Sequence, residues 1–188
     1  MSDDPQRGAL APFFAPHTVA VIGASRSPAK VSGAVLENLV AGGFAGRIVA
    51  VNCAASVVQG LPAAASIADA TGPGDLAVIA VPSREVLSAL KACAAKGIGA
   101  AVVISAGFRE IGGEGAARED ELRAWLGTRP LRVLGPNCLG WIRPAQRLNL
   151  TFAPGLPRAG PIAFVSHSGA LAVALLDWAS DLDLGSRW

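Results

Sequence analysis

Five short stretches of this 188-residue chain gather residues suited to holding a phosphorylated ligand. They are Gly23-Ala24-Ser25-Arg26-Ser27-Pro28, Asn52-Cys53, Pro82-Ser83, Ser105-Ala106-Gly107-Phe108 and Gly135-Pro136-Asn137-Cys138. Small, polar and backbone-exposing residues gather in them, and each follows an apolar run. A sixth stretch, Ser166-His167-Ser168-Gly169, stands before a nearly all-apolar segment. Ser-x-Ser-Gly ahead of a helix suits an anion, because first-turn N–H groups have no intrahelical partner and carry partial positive charge. It is also the pattern of a plain N-cap with Ser166 or Ser168 capping, and on the residues alone that is the simpler reading. Arg26 and Lys30, close to the first stretch, offer point charges to a phosphate, or else are ordinary solvated surface charges.

The elements that must position these stretches alternate. His17 to Ile22, Arg47 to Val51, Leu76 to Val81, Ala100 to Ile104 and Leu131 to Leu134 read as buried strands. Between them, Ser32 to Val40 places Val35, Leu36 and Leu39 at helical spacing before a Gly42-Gly43 stop. Ser83 reads as the N-cap of a helix with Val86, Leu87, Leu90 and Ala94 inward and Gly97 as its stop. Glu114 to Leu126 is a charged helix with Leu122, Trp125 and Leu126 inward. Almost wholly apolar strands separated by helices mean a parallel sheet covered on both faces. Residues 8–142 are therefore expected to form a doubly wound, Rossmann-like α/β domain, after a frayed tail of about eight residues. The chain then starts again. Leu148 to Phe152 is strand-like, Pro161 to Val165 reads as another buried strand, and Ala170 to Ala179 as an apolar helix. Residues 155–188 thus read as the first β-turn-α unit of a second domain. One such unit cannot bury both its faces, so a longer protein or a partner chain is expected to complete it.

In an open parallel sheet, ligands bind at the carboxyl ends of the strands, where the five stretches lie. A nicotinamide dinucleotide is not supported. The G-x-G-x-x-G fingerprint is absent, since the Gly after Gly23 is Gly33, and Asn52 stands about where an acidic residue would hold the ribose. A formal net charge of +2 is too small to indicate nucleic acid. The mean hydropathy is high, at +0.45, yet the apolar runs are strand-sized and none reaches the roughly 18–20 residues of a membrane span. The acidic start Met1-Ser2-Asp3-Asp4 is unlike a signal peptide. Cys53, Cys93 and Cys138 form neither a disulfide framework nor a zinc spacing, so no metal is expected and the cytoplasm is the expected location. Cys138 has no nearby base in sequence and reads as packing rather than as a nucleophile.

The whole chain from about residue 10 resembles the CoA-binding half of NDP-forming acyl-CoA synthetases. These include ADP-forming acetyl-CoA synthetases, succinyl-CoA synthetase α subunits and two-part protein acetyltransferases carrying such a region. The pieces occur in family order: Val19 to Ser25, Gly33 with Asn38-Leu39, Gly43-Phe44-x-Gly46, Val51-Asn52, Gly60, Asp75 to Pro82, Lys96-Gly97, Ser105-Ala106-Gly107-Phe108-x-Glu110, Gly135 to Gly140, and Ser166 to Leu171. The resemblance implies a second, flavodoxin-like domain after the first. It implies that Gly23 and Ser25 to Pro28 cradle coenzyme A near its phosphates, with Arg26, Lys30 and Asn52 beside them. Val81-Pro82 would line the adenine or pantetheine slot. Ile104-Ser105-Ala106 would meet the pantetheine through backbone groups, and Asn137 would sit near the thiol. Ser166, Ser168 and Gly169 would open the helix that faces a phosphorylated histidine.

The implied function is the CoA-holding segment of an acid–CoA ligase that converts acyl-CoA, ADP and phosphate to acid, CoA and ATP. Its implied partners are CoA or acyl-CoA and the rest of the ligase or an ATP-grasp subunit, in a homo- or hetero-oligomer. Neither nucleic acid nor membrane is expected. The alternative is a regulatory CoA- or nucleotide-binding region of a protein lysine acetyltransferase, or an acyl-CoA sensor. Two departures bear on this. The Lys common in the family after Val-Asn is replaced by Cys53-Ala54-Ala55-Ser56, and His167 stands where the family has Arg or Gln. The phosphorylated histidine is expected beyond residue 188, so this stretch alone is not expected to complete the reaction.

Overall fold

The computed structural model describes residues 5–127 and 129–182. Six parallel strands form the centre: β1 (Thr18–Ile22), β2 (Arg47–Val51), β4 (Leu61–Ala64), β5 (Leu76–Ile79), β6 (Ala100–Val103) and β7 (Arg132–Leu134). The short β3 (Val57–Val58) pairs antiparallel with β4 at one edge. The spatial order is β3-β4-β2-β1-β5-β6-β7. Among the parallel strands this is 3-2-1-4-5-6, the doubly wound Rossmann order, and the direction of winding reverses between β1 and β5.

The sheet is buried because its residues are apolar on both faces. Every residue of β1, β5 and β6 is buried. One face packs Ala20, Ile22, Ile79, Val86, Leu90, Val103 and Leu122 together. The other packs Val19, Val21, Val35, Leu36, Leu39, Val78 and Val102. Helix α2 (Val31–Ala41) supplies Val35, Leu36 and Leu39 to the second core. Helices α3 (Ser83–Ala95) and α4 (Gly113–Leu126) cover the first, with Leu87, Ala94, Trp125 and Leu126 half-buried against it. Each fully buried Leu or Val there contributes about 1.5–3 kcal/mol.

Several expectations are corrected. Of the segment read as a frayed tail, residues 5–8 belong to α1 (Pro5–Phe14), and residues 1–4 lie outside the described residues. Phe13 is buried, Phe14 meets the Trp141 ring edge-on at 5.3 Å, and Arg143 Nη1 donates to the Phe14 carbonyl. Tertiary contacts, not propensity, hold this Gly- and Pro-containing helix. Pro82, not Ser83, is the N-cap of α3, and no side chain caps it. The β3–β4 hairpin has no counterpart in the sequence reading. The strand read at Leu148 to Phe152 shortens to β9 (Leu148–Asn149), which pairs with β8 (Ile142–Arg143). The strand read as buried at Pro161 to Val165 is β10 (Ala159–Ile162), whose residues are mostly exposed. Helix α5 (Gly169–Asp181) likewise leaves Leu171 and Trp178 exposed. An apolar run is buried only where something packs on it, and these two elements lie outside the seven-stranded sheet.

Candidate functional site

The carboxyl ends of the strands are stitched into one surface. The Gly23 and Ala24 N–H groups both donate to the Val51 carbonyl, tying β1 to β2. Asn52 donates its side-chain amide to the Ala24 carbonyl at 2.7 Å and accepts from the Ala54 N–H. The Ser105 hydroxyl donates to the Val81 carbonyl at 2.6 Å and accepts from the Val81 N–H at 3.1 Å. The Asn137 N–H donates to the Ser105 carbonyl at 3.0 Å. Asn52 and Ser105 thus spend their side chains on neighbouring strand ends and leave backbone at the surface.

Two glycines let backbone segments approach where a side chain would not fit. A Cβ on Gly23 (φ +86°) would lie 2.6 Å from the Ala80 carbonyl oxygen, at the reversal point between β1 and β5. A Cβ on Gly33 would lie 1.9 Å from the Ser27 carbonyl oxygen, so the Ser25–Pro28 loop rests directly on α2. Gln59, in the hairpin, then clamps that loop: its side-chain N–H₂ donates to the Ser25 and Gly33 carbonyls at 2.9 and 3.0 Å. The Ser27 N–H donates to Ser25 Oγ, closing the turn. Arg26 and Lys30 are exposed on it, and among the described residues neither forms an ion pair.

A cavity of about 660 Å³ opens over the tips of β5, β6 and β7 and is roofed by α5. Of the expected site residues, Val81, Ile104, Ser105, Ala106, Asn137 and Gly169 line it. His167, Cys138, Leu139 and Phe152 join them. Gly23, Ser25, Arg26, Ser27, Pro28, Lys30, Asn52, Pro82 and Ser168 do not line it. The first eight belong to the neighbouring strand-end loops and the start of α3, and Ser168 caps α5 by accepting from the Leu171 N–H. Ser166 lines a second cavity of about 500 Å³ on the far side of Asn137–Leu139, together with His167 and Gly169. Its hydroxyl accepts from the Ser168 N–H at 2.9 Å. The plain capping role open at the sequence level is therefore occupied by Ser168.

Three positioning residues carry no assigned role in the sequence reading, although Asn38 and Glu110 stand among the matching pieces quoted there. Gln59 is one. Asn38 is another, its side-chain amide donating to the Thr151 and Ala153 carbonyls at 2.8 Å and drawing that segment onto α2. Glu110 is the third: its carboxylate accepts from the Gly107 and Phe108 N–H groups. Those bonds, the Gly107 one foremost, hold its carboxyl below the ordinary 4.5. Each is a polar side chain whose role only its fold partners give it. The thiols are unreactive where buried: desolvation pushes Cys93 up to about 12 and Cys138 up to about 11, and Cys138 Sγ donates to the Val103 carbonyl. Cys53 is exposed. Among the described residues no group of His, Cys, Asp and Glu could hold a metal ion, and no helix is long and apolar enough to cross a membrane.

A 3-2-1-4-5-6 sheet with a cavity over the carboxyl ends of β5 to β7 and glycine-tight loops at the neighbouring reversal point defines a nucleotide-type ligand-binding domain. Comparison with known proteins narrows the class. The model of the family described as "CoA binding domain" matches residues 17–144, and the chain belongs to that family. It is 41% identical over 173 residues to an acetate–CoA ligase [ADP-forming] I of Archaeoglobus fulgidus, covering 92% of this chain and 25% of that protein. To the α subunit of acetate–CoA ligase [ADP-forming] I of Pyrococcus furiosus it is 37% identical, covering 90% of this chain and 37% of that one. The solved structure of a dinucleotide forming acetyl-coenzyme A synthetase 1 from Ca. Korarchaeum cryptofilum, in complex with phosphate and ADP, superimposes with a TM-score of 0.89 at 38% identity. That match covers 95% of this chain and 38% of the other. The chain thus spans roughly a quarter to two fifths of the length of these relatives.

Proposed function

We propose that this chain holds coenzyme A across its strand tips and supplies the CoA-binding part of an ADP-forming acid–CoA ligase. The observation that carries the reading is the 660 Å³ cavity at the carboxyl ends of β5, β6 and β7, lined by apolar side chains and strand-end backbone. Such a lining fits pantetheine, a flexible chain with amide groups and a terminal thiol. Val81, Ile104, Ser105 and Ala106 would hold it. The Ser25–Pro28 turn, with Arg26 and Lys30 exposed on it, would meet the phosphates. Asn137 would lie toward the thiol and Ser166 to Gly169 beyond it. CoA supplies the nucleophilic sulfur; the protein orients it and excludes water around it.

The parent reaction in this reading is acyl-CoA plus ADP and phosphate to acid, CoA and ATP, with a phosphohistidine carried elsewhere in the enzyme. The partners are the rest of the ligase, including its nucleotide-binding part, in a homo- or hetero-oligomer. We divide the chain into a CoA-binding unit over 8–142 and the beginning of a second α/β unit over 155–188. An exposed Cys53 thiol fits a reducing cytoplasm. The relatives named above are ligases, which favours this reading over a regulatory acetyltransferase segment or an acyl-CoA sensor.

Calorimetric titration with CoA, dephospho-CoA and NAD tests it. CoA is expected to bind more tightly than NAD, and Arg26→Ala to weaken CoA more than dephospho-CoA. Tighter binding of NAD than CoA overturns the assignment. Equal weakening of both CoA forms removes the Arg26 contact with the 3′-phosphate.

A further inference from the structure

The two cavities meet at the turn before α5, and His167 lines both of them. Among the described residues, the ionisable side chains that line the first cavity are Cys138 and His167. Cys138 cannot serve as a base: desolvation holds its thiol up at about 11, and its Sγ donates to the Val103 carbonyl at 3.3 Å. Asn137 and Ser105 are neutral, and the Ser105 hydroxyl is committed to Val81. A thiol of ordinary pKa is mostly protonated at neutral pH, and the thiolate is the nucleophile. A proton acceptor beside the sulfur would raise its thiolate fraction, and an imidazole nitrogen is chemically suited to that role.

We propose that His167 is the proton acceptor for the CoA thiol in acyl transfer. This rests on the CoA reading above. In the acylating direction, a free ring nitrogen of His167 takes the S–H proton. The sulfur lone pair forms the S–C bond at the carbonyl carbon of an acyl phosphate. The C–O bond to phosphate breaks, its electron pair leaves with the phosphate oxygen, and the imidazolium returns the proton to phosphate. In the reverse direction the same ring protonates the departing sulfur. The acyl phosphate would enter from the second cavity, which His167, Ser166 and Gly169 share. The charged groups that line the second cavity with His167 are Glu119 and Arg123 of α4. Glu119 is already bonded to Arg123 at 2.7 Å and lies 3.5 Å from Arg109, so it does not compete for the imidazole proton. On α5 itself, Asp177 and Asp181 lie ten and fourteen residues further along.

The test uses the chain with Cys53→Ser, which removes the exposed thiol and leaves Cys93 and Cys138 protonated. Calorimetry first measures CoA binding. The CoA-saturated protein is then treated with iodoacetamide from pH 5.5 to 9, and alkylated CoA is quantified by mass. The substitution His167→Gln keeps polarity but removes the base. We expect alkylation at pH 7, compared at CoA saturation of each protein, to be slower by about tenfold or more. The pH profile of alkylation should move to higher pH in H167Q. In parallel, the His167 ring resonance, assigned by its loss in H167Q, should titrate differently with CoA than with desulfo-CoA. Superimposable pH profiles for the parent and H167Q proteins with CoA bound overturn the base and leave the CoA reading intact. Weaker CoA binding with an unchanged profile at saturation also overturns it, reducing His167 to a contact. Absence of CoA binding in the parent overturns both.

Discussion

Ser105→Ala removes a single oxygen atom and tests how the strand tips are held. That oxygen donates to the Val81 carbonyl at 2.6 Å and accepts from the Val81 N–H at 3.1 Å, in a residue only 9% exposed. Two hydrogen bonds at about 1 kcal/mol each are lost, and two backbone groups are left without protein partners. Val81 is half-buried, so water recovers part of the penalty, and the expected cost is about 2 kcal/mol. The void is smaller than a methyl group, so cavity terms add little. With a urea m-value of about 2 kcal/mol/M, the midpoint should fall by about 1 M. The same bonds fix the ends of β5 and β6, which line the cavity. Loosening them should also weaken CoA binding by about fivefold, which corresponds to about 1 kcal/mol. Urea denaturation followed by circular dichroism and CoA calorimetry on the same preparations give both numbers. A midpoint shift under about 0.2 M together with unchanged CoA affinity would refute the idea that Ser105 staples β6 to the end of β5.

Two further outcomes follow from the same geometry. Gln59→Ala should release the Ser25–Pro28 turn, costing about 1–2 kcal/mol for two lost hydrogen bonds, and should weaken CoA more than it weakens a pantetheine fragment lacking the phosphates. Equal weakening in calorimetry would show that Gln59 does not act through the phosphate loop. Glu110 gives a pH signature. Its folded-state carboxyl is depressed by the Gly107 and Phe108 N–H donors, so its contribution is fully present above its ordinary 4.5 and is lost as pH falls through the lower folded value. The stability difference between the parent and Glu110→Gln should therefore be constant above about pH 6 and shrink below 4.5, as read from urea midpoints at each pH. A difference independent of pH down to about 3 would mean that the ionised carboxylate is not what holds the turn.

Much of the architecture was legible because burial on both sheet faces leaves an unmistakable trace. Val19 to Ile22, Leu76 to Ile79 and Ala100 to Val103 are continuous apolar runs, and continuous apolar runs between amphipathic helices have few folds open to them. The strand-end loops were legible for the same reason, since they must follow the runs. The elements missed were those whose residues carry no periodic signal. Helix α1 contains Gly8 and Pro12, and Phe13 and Phe14 find their partners more than a hundred residues away, in Trp141. The β3–β4 hairpin is too short for alternation to register.

The sequence by itself therefore determined the sheet, its winding and the line of loops along which a ligand must lie, because local hydrophobic pattern is a property of the chain. Only the tertiary structure decided what each polar side chain in those loops does. Asn52 and Ser105 turn toward neighbouring strand ends, Gln59 reaches back 34 residues to the Ser25 carbonyl, and His167 and Asn137 come to line the same two cavities. Hydrogen-bond partners are set by distances in space, and residues far apart in the chain carry no mark of one another until the backbone brings them within about 3 Å.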